Sequence, residues 1–422
     1  MHPAVAALAR RAGIQYLLFR ERLTSGVAYN LLSPALRADP YPTYHRLRAR
    51  DPVHWSLPAQ AWVITRYRDV QGILRDGRFS ADRTNSTAHK EWAAKQKSPP
   101  DPPAGRSMLF VDPPDHTRLR MLVSKAFTPR AVEALRPRIT RIVHGLLDDV
   151  ERAGTMDVVR VLAYPLPVIV IAELLGIPVD DRELFKKWSD ALAATLEPFV
   201  PKDLQSEVLL ANEALRAYLS RIFAQRRREP RDDLISALMQ AEEAGDRLTE
   251  EEAFSAVRLL LVAGHETTTN LIGNGLLALL RYQDQWRLLR EDRTLIPAAV
   301  EELLRFDSPV QLTVRIATEP LDLDGKHIRP GDQLIVLLGA ANRDPAQFSD
   351  PDRLLITREE KRHLAFGHGI HFCLGAPLAR LEMQVTLSAL LERFPQLHLT
   401  PEPVVRRQTM VLRGLDRLAV AF

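Results

Sequence analysis

The residues best suited to chemistry lie in one stretch, His363–Arg380, which reads HLAFGHGIHFCLGAPLAR and holds the only cysteine, Cys373. It stands between a glycine-rich approach, Gly367 and Gly369, and a helical pattern over Ala376–Phe394. A thiol just ahead of a helix meets backbone N–H groups that lack intrahelical partners, at the positive end of the helix dipole. Both favour the thiolate over the thiol. The glycines let the backbone turn tightly or lie close to something flat and large. A thiolate held this way is a metal ligand or a nucleophile. A lone cysteine is more commonly a small buried hydrophobe, so its neighbours must decide.

Those neighbours are specific. Phe366, Gly367, Gly369, His371, Cys373, Gly375, Leu378, Ala379 and Arg380 fit F-G-x-G-x-H-x-C-x-G-x-x-L-A-R. This resembles the haem-binding loop of the soluble, bacterial-type cytochrome P-450 monooxygenases. The resemblance implies that Cys373 is the proximal ligand of haem b (iron protoporphyrin IX), whose thiolate donation favours O–O cleavage. O2 is then the co-substrate. His371 is the best alternative ligand, and the family pattern makes it a propionate or loop partner instead. Phe366, Gly367 and Gly375 are expected against the cofactor.

Three further matches extend the likeness. The centre of the longest helical pattern, 248–280, reads LLLVAGHETTTN, a run weakened by Gly264 and three threonines. Thr249 and Glu252 have capping-box spacing. The Thr267 hydroxyl can compete for the Ala263 carbonyl four residues back, and the weak centre suggests local opening. The segment looks like the family's A-G-x-[DE]-T run, which crosses above the haem beside Ala263 and Gly264. There the Glu266–Thr267 pair would direct protons to bound oxygen. His116 and Arg120, four apart, share a helix face suited to one anionic group, such as a haem propionate. Arg315 matches a family position that reaches a propionate. Glu302 and Arg305 form an E-x-x-R pair, to which we assign a structural role. The spacing also occurs at Glu133/Arg136, Glu213/Arg216 and Glu359/Arg362. Only the position between the threonine helix and the cysteine loop selects Glu302/Arg305.

Other motifs fail their context. Gly273–Ala278 satisfies G-x-G-x-x-A but lies inside a helix and follows no strand. His265–Glu266 opens like a zincin, yet the second histidine position is Thr269. C-type haem attachment needs a second cysteine.

The surrounding elements read as mainly α with a small β-rich region. Helices are expected at 40–50, 67–76, 114–123, 131–152, 158–176, 181–194, 203–229, 232–243, 248–280 and 296–306. Short strands are expected at 52–56, 61–66, 311–318, 321–323, 327–329 and 333–338, with a turn at Asp324–Gly325. Residues 79–112 read as a long loop or partly helical excursion, roofing the pocket by resemblance. The family's usual aromatic after the meander is Leu354 here. We expect an extension over 1–36, helical or loose, and one catalytic domain over 37–422.

Composition is that of a globular protein: 422 residues, 46% hydrophobic, 26% charged, net charge +4. No dense basic face with nucleic-acid motifs is present. One cysteine excludes an intramolecular disulfide and fits the cytoplasm. No stretch reaches the ~18 apolar residues of a membrane span. Flavin and nicotinamide motifs are missing, so electrons are expected from a ferredoxin or flavodoxin with an NAD(P)H-dependent reductase. Arg118, Lys125, Lys361 and Arg362 are candidate docking contacts on a monomer. Leu260, Ala263, Val310, Leu312 and Val411 are expected to line a pocket for an apolar fatty acid, terpenoid, steroid or polyketide. Stretches 177–205, 308–314 and 407–412 also shape it. The rival functions are a haem-thiolate peroxygenase and a non-catalytic haem sensor.

Overall fold

The computed structural model describes residues 3–95, 107–198, 200–243 and 245–422. Its axis is the helix Glu250–Arg281, buried along most of its length because it is apolar on nearly every face. The capping box forms as the spacing predicts. Glu252 N donates to Thr249 Oγ1 at 3.2 Å, and Thr249 N donates to Glu252 Oε2 at 2.9 Å.

The cysteine helix, Ala376–Arg393, crosses against this axis. Gly275 permits the approach: a Cβ there would lie 2.8 Å from Met383 Cε. The G-x-G-x-x-A match is therefore a packing feature of one helix. Helices Arg136–Asp148, Pro165–Leu174, Arg182–Ala193 and Lys202–Arg228 complete the main core.

A five-stranded sheet holds the other side. Its order is Val53–Ser56, Ala61–Ile64, Gln333–Leu337, Leu312–Ala317, Phe79–Ser80. Ala61–Ile64 and Gln333–Leu337 run parallel, and the other pairs are antiparallel. The sheet packs on a smaller core that includes Tyr67, Ile73, Leu334, Phe348 and Leu364. The predicted turn is present, with φ of 53° at Asp324 and 72° at Gly325, the signature of a type I′ hairpin.

Three helical readings overran. The stretch 158–176 splits into a π turn, Val159–Ala163, and the helix Pro165–Leu174, because Pro165 has no N–H to continue the ladder. The stretch 131–152 divides into Pro129–Glu133 and Arg136–Asp148. The helix in 232–243 stops at Gln240, and Glu242–Glu243 pairs with Asp246–Arg247 through a turn at Gly245, φ 84°. The expected pocket roof carries a helix, Thr87–Lys95. Its middle, 96–106, lies outside the described residues, as does residue 199 in the stretch 177–205.

The N-terminal segment is helical over Pro3–Ser25. Glu21 fastens it to the first hairpin, accepting from Tyr29 N at 3.0 Å and Leu57 N at 2.5 Å. Among the described residues no helix is long and apolar enough to cross a membrane.

Candidate active site

The cysteine loop is shaped by its glycines. Gly369 has φ 72°, and a Cβ there would meet the Leu74 carbonyl at 2.3 Å, so no other residue fits. Gly367 also has φ 72°. Cys373 N donates to Phe366 O at 3.0 Å, which closes the loop. The Cys373 sulfur then lies by the N–H groups of Gly375 and Ala376 at the helix start, where the sequence predicts free donors. Cys373 keeps accessible surface, yet the protein crowded round its sulfur strips away water, and this dominates and pushes the thiol's pKa up. The Gly375 N–H, the Arg120 charge, the Ala376 N–H and the Arg380 charge only partly offset it. A bound cation would complete what these donors begin, since a coordinating thiol is deprotonated outright.

The expected anion clamp converges on this loop. His116 and Arg120 extend from the helix Asp115–Ala126 on one face. The rings of His116 and His371 lie 4.1 Å apart, and Arg120 Nη2 donates to the Phe372 carbonyl at 2.6 Å. Arg315 comes from the strand Leu312–Ala317, and its charge reaches both imidazoles.

Two observations test whether haem fits here. Both ring nitrogens of His116 are buried without a hydrogen-bond partner. Arg315 is buried, yet its guanidinium donates only to Thr313 Oγ1 at 3.2 Å and Val314 O at 2.9 Å. Burial lowers its pKa to about 10, with Asp112 opposing. Burial first, then Arg315, His116 and Arg120, lower that of His371 to about 3, leaving its imidazole neutral. Among the described residues no carboxylate forms an ion pair with Arg120 or Arg315. Two guanidiniums and two imidazoles without an anion suit a pair of propionates. The residues fit the group.

The central helix supplies the opposite wall. Ala263, Gly264 and Thr267 keep accessible surface where Leu261, Val262, His265, Glu266 and Thr268 are buried. Their spacing puts them on one face, so the helix borders a hollow. Thr267 Oγ1 donates to Ala263 O at 2.8 Å and Thr268 Oγ1 to Gly264 O at 3.1 Å. The expected opening is absent: the helix runs unbroken, because these hydroxyls share carbonyls without displacing backbone donors.

Glu266 is buried beside Thr267. Its Oε2 accepts from Arg407 Nη1 at 2.5 Å, and Oε1 lies 3.6 Å from His265 Nε2. Burial alone would raise its pKa, but His265 and Arg407 overcome this and hold it at about 2. Arg407 did not emerge from the sequence. It lies 141 residues from its partner, and no local spacing signals such a pair.

Two ion-pair groups brace the loop. Arg305 meets Glu302 through Nε at 2.7 Å and Nη2 at 2.8 Å, and caps the carbonyls of Asn342 and Pro351 at 2.9 and 2.8 Å. Arg358, which the sequence reading missed, contacts both Glu302 oxygens at 3.2 Å. Leu354 is buried in this region. Glu301 pairs with Arg380 at 2.6 and 2.8 Å and with His363 at 3.2 Å. Arg380 in turn lies 4.6 Å over the Phe366 ring.

The pocket candidates fall in two groups. Leu260 is buried on the central helix. Val310 and Val411 are half-buried and adjoin, with Gln311 N donating to Val411 O at 2.8 Å. Leu312 is fully packed into a small core with Leu36, Ile335 and Leu337, against which Val411 also rests. Glu197 accepts from Met410 N at 2.7 Å, Val411 N at 3.1 Å and Leu412 N at 3.2 Å. It thereby joins the connection after Ala193 to the C-terminal loop.

Comparisons with known proteins identify the family. The family model described as Cytochrome P450 matches residues 53–414. The chain is 46% identical to the cytochrome P450 monooxygenase PikC of Streptomyces venezuelae, covering 91% of each chain. It is 44% identical to the vitamin D(3) 25-hydroxylase of Pseudonocardia autotrophica, covering 93% of this chain and 96% of that one. The solved structure of the bacillaene polyketide synthase cytochrome P450 PksS from Bacillus subtilis 168 superposes with a TM-score of 0.85 at 40% identity, covering 93% and 99%.

Proposed function

The chain belongs to the cytochrome P450 family, and from that premise we propose how its own residues divide the work. It is a haem-thiolate monooxygenase that uses haem b and O2 to oxygenate an apolar small molecule, with electrons from redox partners. The haem, when bound, supplies the iron at which dioxygen is activated, and thiolate ligation favours O–O cleavage.

Cys373 is the iron ligand, held by the Gly375 and Ala376 N–H groups. Phe366, Gly367 and Gly375 lie against the cofactor's proximal side. Arg120 and Arg315 bind the propionates, assisted by His116 and His371. Ala263 and Gly264 leave room on the opposite face. Thr267 Oγ1 holds a proton between the Ala263 carbonyl and the hollow, and Glu266 replenishes it. The observation that carries this reading is the convergence of the unpaired Arg120, Arg315 and His116 on the cysteine loop. Its test is the reduced holoprotein under carbon monoxide, which should show a strongly red-shifted Soret band. An unshifted band in folded, active protein rejects the ligand assignment.

Thr267→Ala should uncouple turnover: NADH consumption persists, peroxide rises and product falls several-fold. Product per NADH equal to that of the unaltered enzyme would remove the proton role of this pair.

Residues 37–422 form one catalytic domain, a reading supported by the five-stranded sheet, which joins strands from residues 53–80 to strands from residues 312–337. The substrate belongs to the polyketide, steroid, terpenoid or fatty-acid range, in keeping with relatives named for polyketide biosynthesis and for vitamin D(3) hydroxylation. Leu260, Ala263, Val310 and Val411 face it, while Leu312 supports them from the core. The protein works as a cytoplasmic monomer. A ferredoxin or flavodoxin, reduced by an NAD(P)H-dependent reductase, docks beside the cysteine loop. A groove lined by Thr117, Arg120, Met121, Lys125 and Ile370 lies there, and Lys361 and Arg362 are exposed. Arg118 is engaged by Glu252 and by Asp246 at 3.3 Å, which reduces its expected contribution. Charge reversal at Lys125, Lys361 and Arg362 should slow the first electron transfer and leave substrate affinity unchanged. Reduction at the native rate would exclude this face.

A further inference from the structure

We propose that Asp190 and His265 form a proton inlet that recharges Glu266 from water, an assignment that rests on the reading of the Glu266–Thr267 pair given above. Asp190 projects from the helix Arg182–Ala193 and leaves 46% of its side chain accessible, whereas the His265 side chain is 0% accessible. The three groups form a graded series from accessible carboxylate, through buried imidazole, to buried carboxylate.

The His265 ring is held at one end. Nδ1 lies 2.9 Å from Ser189 Oγ and 3.1 Å from the Leu261 carbonyl, a group that can only accept. In the tautomer that carries its proton on Nδ1, the ring donates to that carbonyl and Nε2 is free to accept. Nε2 has no hydrogen-bond partner. It points between Asp190 Oδ1 at 3.8 Å and Glu266 Oε1 at 3.6 Å. A ring needed only to pair two helices would be complete at Nδ1. Leaving Nε2 buried, unbonded and flanked by two acceptors is costly, and a small tilt brings it within reach of either.

The remaining charged and titratable neighbours are accounted for. Tyr164 OH donates to Asp190 Oδ1 at 2.5 Å, and the Tyr164 ring stands edge-on to His265 at 6.1 Å. Lys186 lies 5.1 Å over the Tyr164 ring. Arg407 holds Glu266 on its other oxygen and approaches Asp416 at 3.5 Å.

The transfer balances without electrons moving. Asp190, protonated from water, gives its proton to Nε2 and returns to carboxylate. The imidazolium passes that proton to Glu266 Oε1 and returns to neutral imidazole. Arg407 stays on Glu266 Oε2 and favours the carboxylate, so the proton received at Oε1 is handed onward to Thr267 instead of being stored. Asp190 and His265 act through Glu266 and are positioning residues.

The test compares Asp190→Asn, His265→Gln, Glu266→Gln and Thr267→Ala in the holoenzyme. Asp190→Asn is conservative and half-exposed, so it should fold even where His265→Gln does not. Expected for Asp190→Asn are native haem content, substrate affinity and first electron transfer, with product per NADH reduced several-fold and a larger solvent deuterium isotope effect. A purely structural helix contact would leave the isotope effect unmoved. A second readout is independent of turnover. In histidine-ring NMR of the ferric holoprotein, with His265 assigned by its loss in His265→Gln, the Nε2 resonance should shift on Asp190→Asn. Native coupling or an unmoved resonance in Asp190→Asn overturns the inlet. If Glu266→Gln and Thr267→Ala also retain coupling, the reading of that pair has failed. If those two uncouple while Asp190→Asn does not, the inlet alone has failed.

Discussion

Cys373→Ser should abolish the red-shifted carbon monoxide band and lower turnover roughly a thousandfold or more, on the order of 4 kcal/mol in the barrier. The substitution preserves shape. A serine hydroxyl can still accept from the Gly375 and Ala376 N–H groups that address the sulfur, so the loop should keep its fold. What changes is the donor atom: oxygen is a harder ligand than thiolate sulfur, and the electron push toward O–O cleavage goes with the sulfur. The measurements are haem content, the carbon monoxide spectrum and product formation on the same preparation. A red-shifted band surviving in Cys373→Ser would show that another group ligates the iron.

Glu302→Ala should destabilise the protein by about 3–5 kcal/mol, a large share of the roughly 5–15 kcal/mol that separates folded from unfolded chains. Glu302 is the shared anion for Arg305 and Arg358, and all three side chains are at most 3% exposed. Its loss leaves Arg305 buried without a carboxylate and Arg358 with only Glu360 at 4.0 Å, and it deprives the Leu355 N–H of the acceptor it meets at 2.9 Å. Denaturant unfolding should show the change, and poor haem retention should accompany it. The control is Glu133→Ala, whose exposed pair with Arg136 should contribute less than ~1 kcal/mol. Equal effects at the two positions would remove the structural role assigned to Glu302.

That contrast shows what could be read in advance. Four E-x-x-R spacings look alike in the sequence, and only burial separates them. Glu133/Arg136 is a surface pair, while Arg216 turns to Glu251 instead of Glu213. Order along the chain selected Glu302/Arg305, but Arg358 was invisible because it arrives 56 residues later through an irregular segment. The cysteine loop, the capping box and the Asp324–Gly325 turn were legible because each is decided by a few neighbouring residues. His116, Arg120, Arg315 and His371 were legible one by one, and their convergence required the fold. Arg407 on Glu266 and Glu197 on the C-terminal loop were not legible, since nothing local ties a side chain to a partner far along the chain. The helical overruns share one cause: apolar spacing continued past a proline or a tight glycine turn that halts the backbone ladder.

The carboxylate of Glu197, fastened across three consecutive amides from Met410 to Leu412, makes one residue the clasp between two segments distant in sequence. Parting those two segments strips the amides of their acceptor all at once. One side chain thus carries the whole of this link, so that loosening at Glu197 is felt in both segments together.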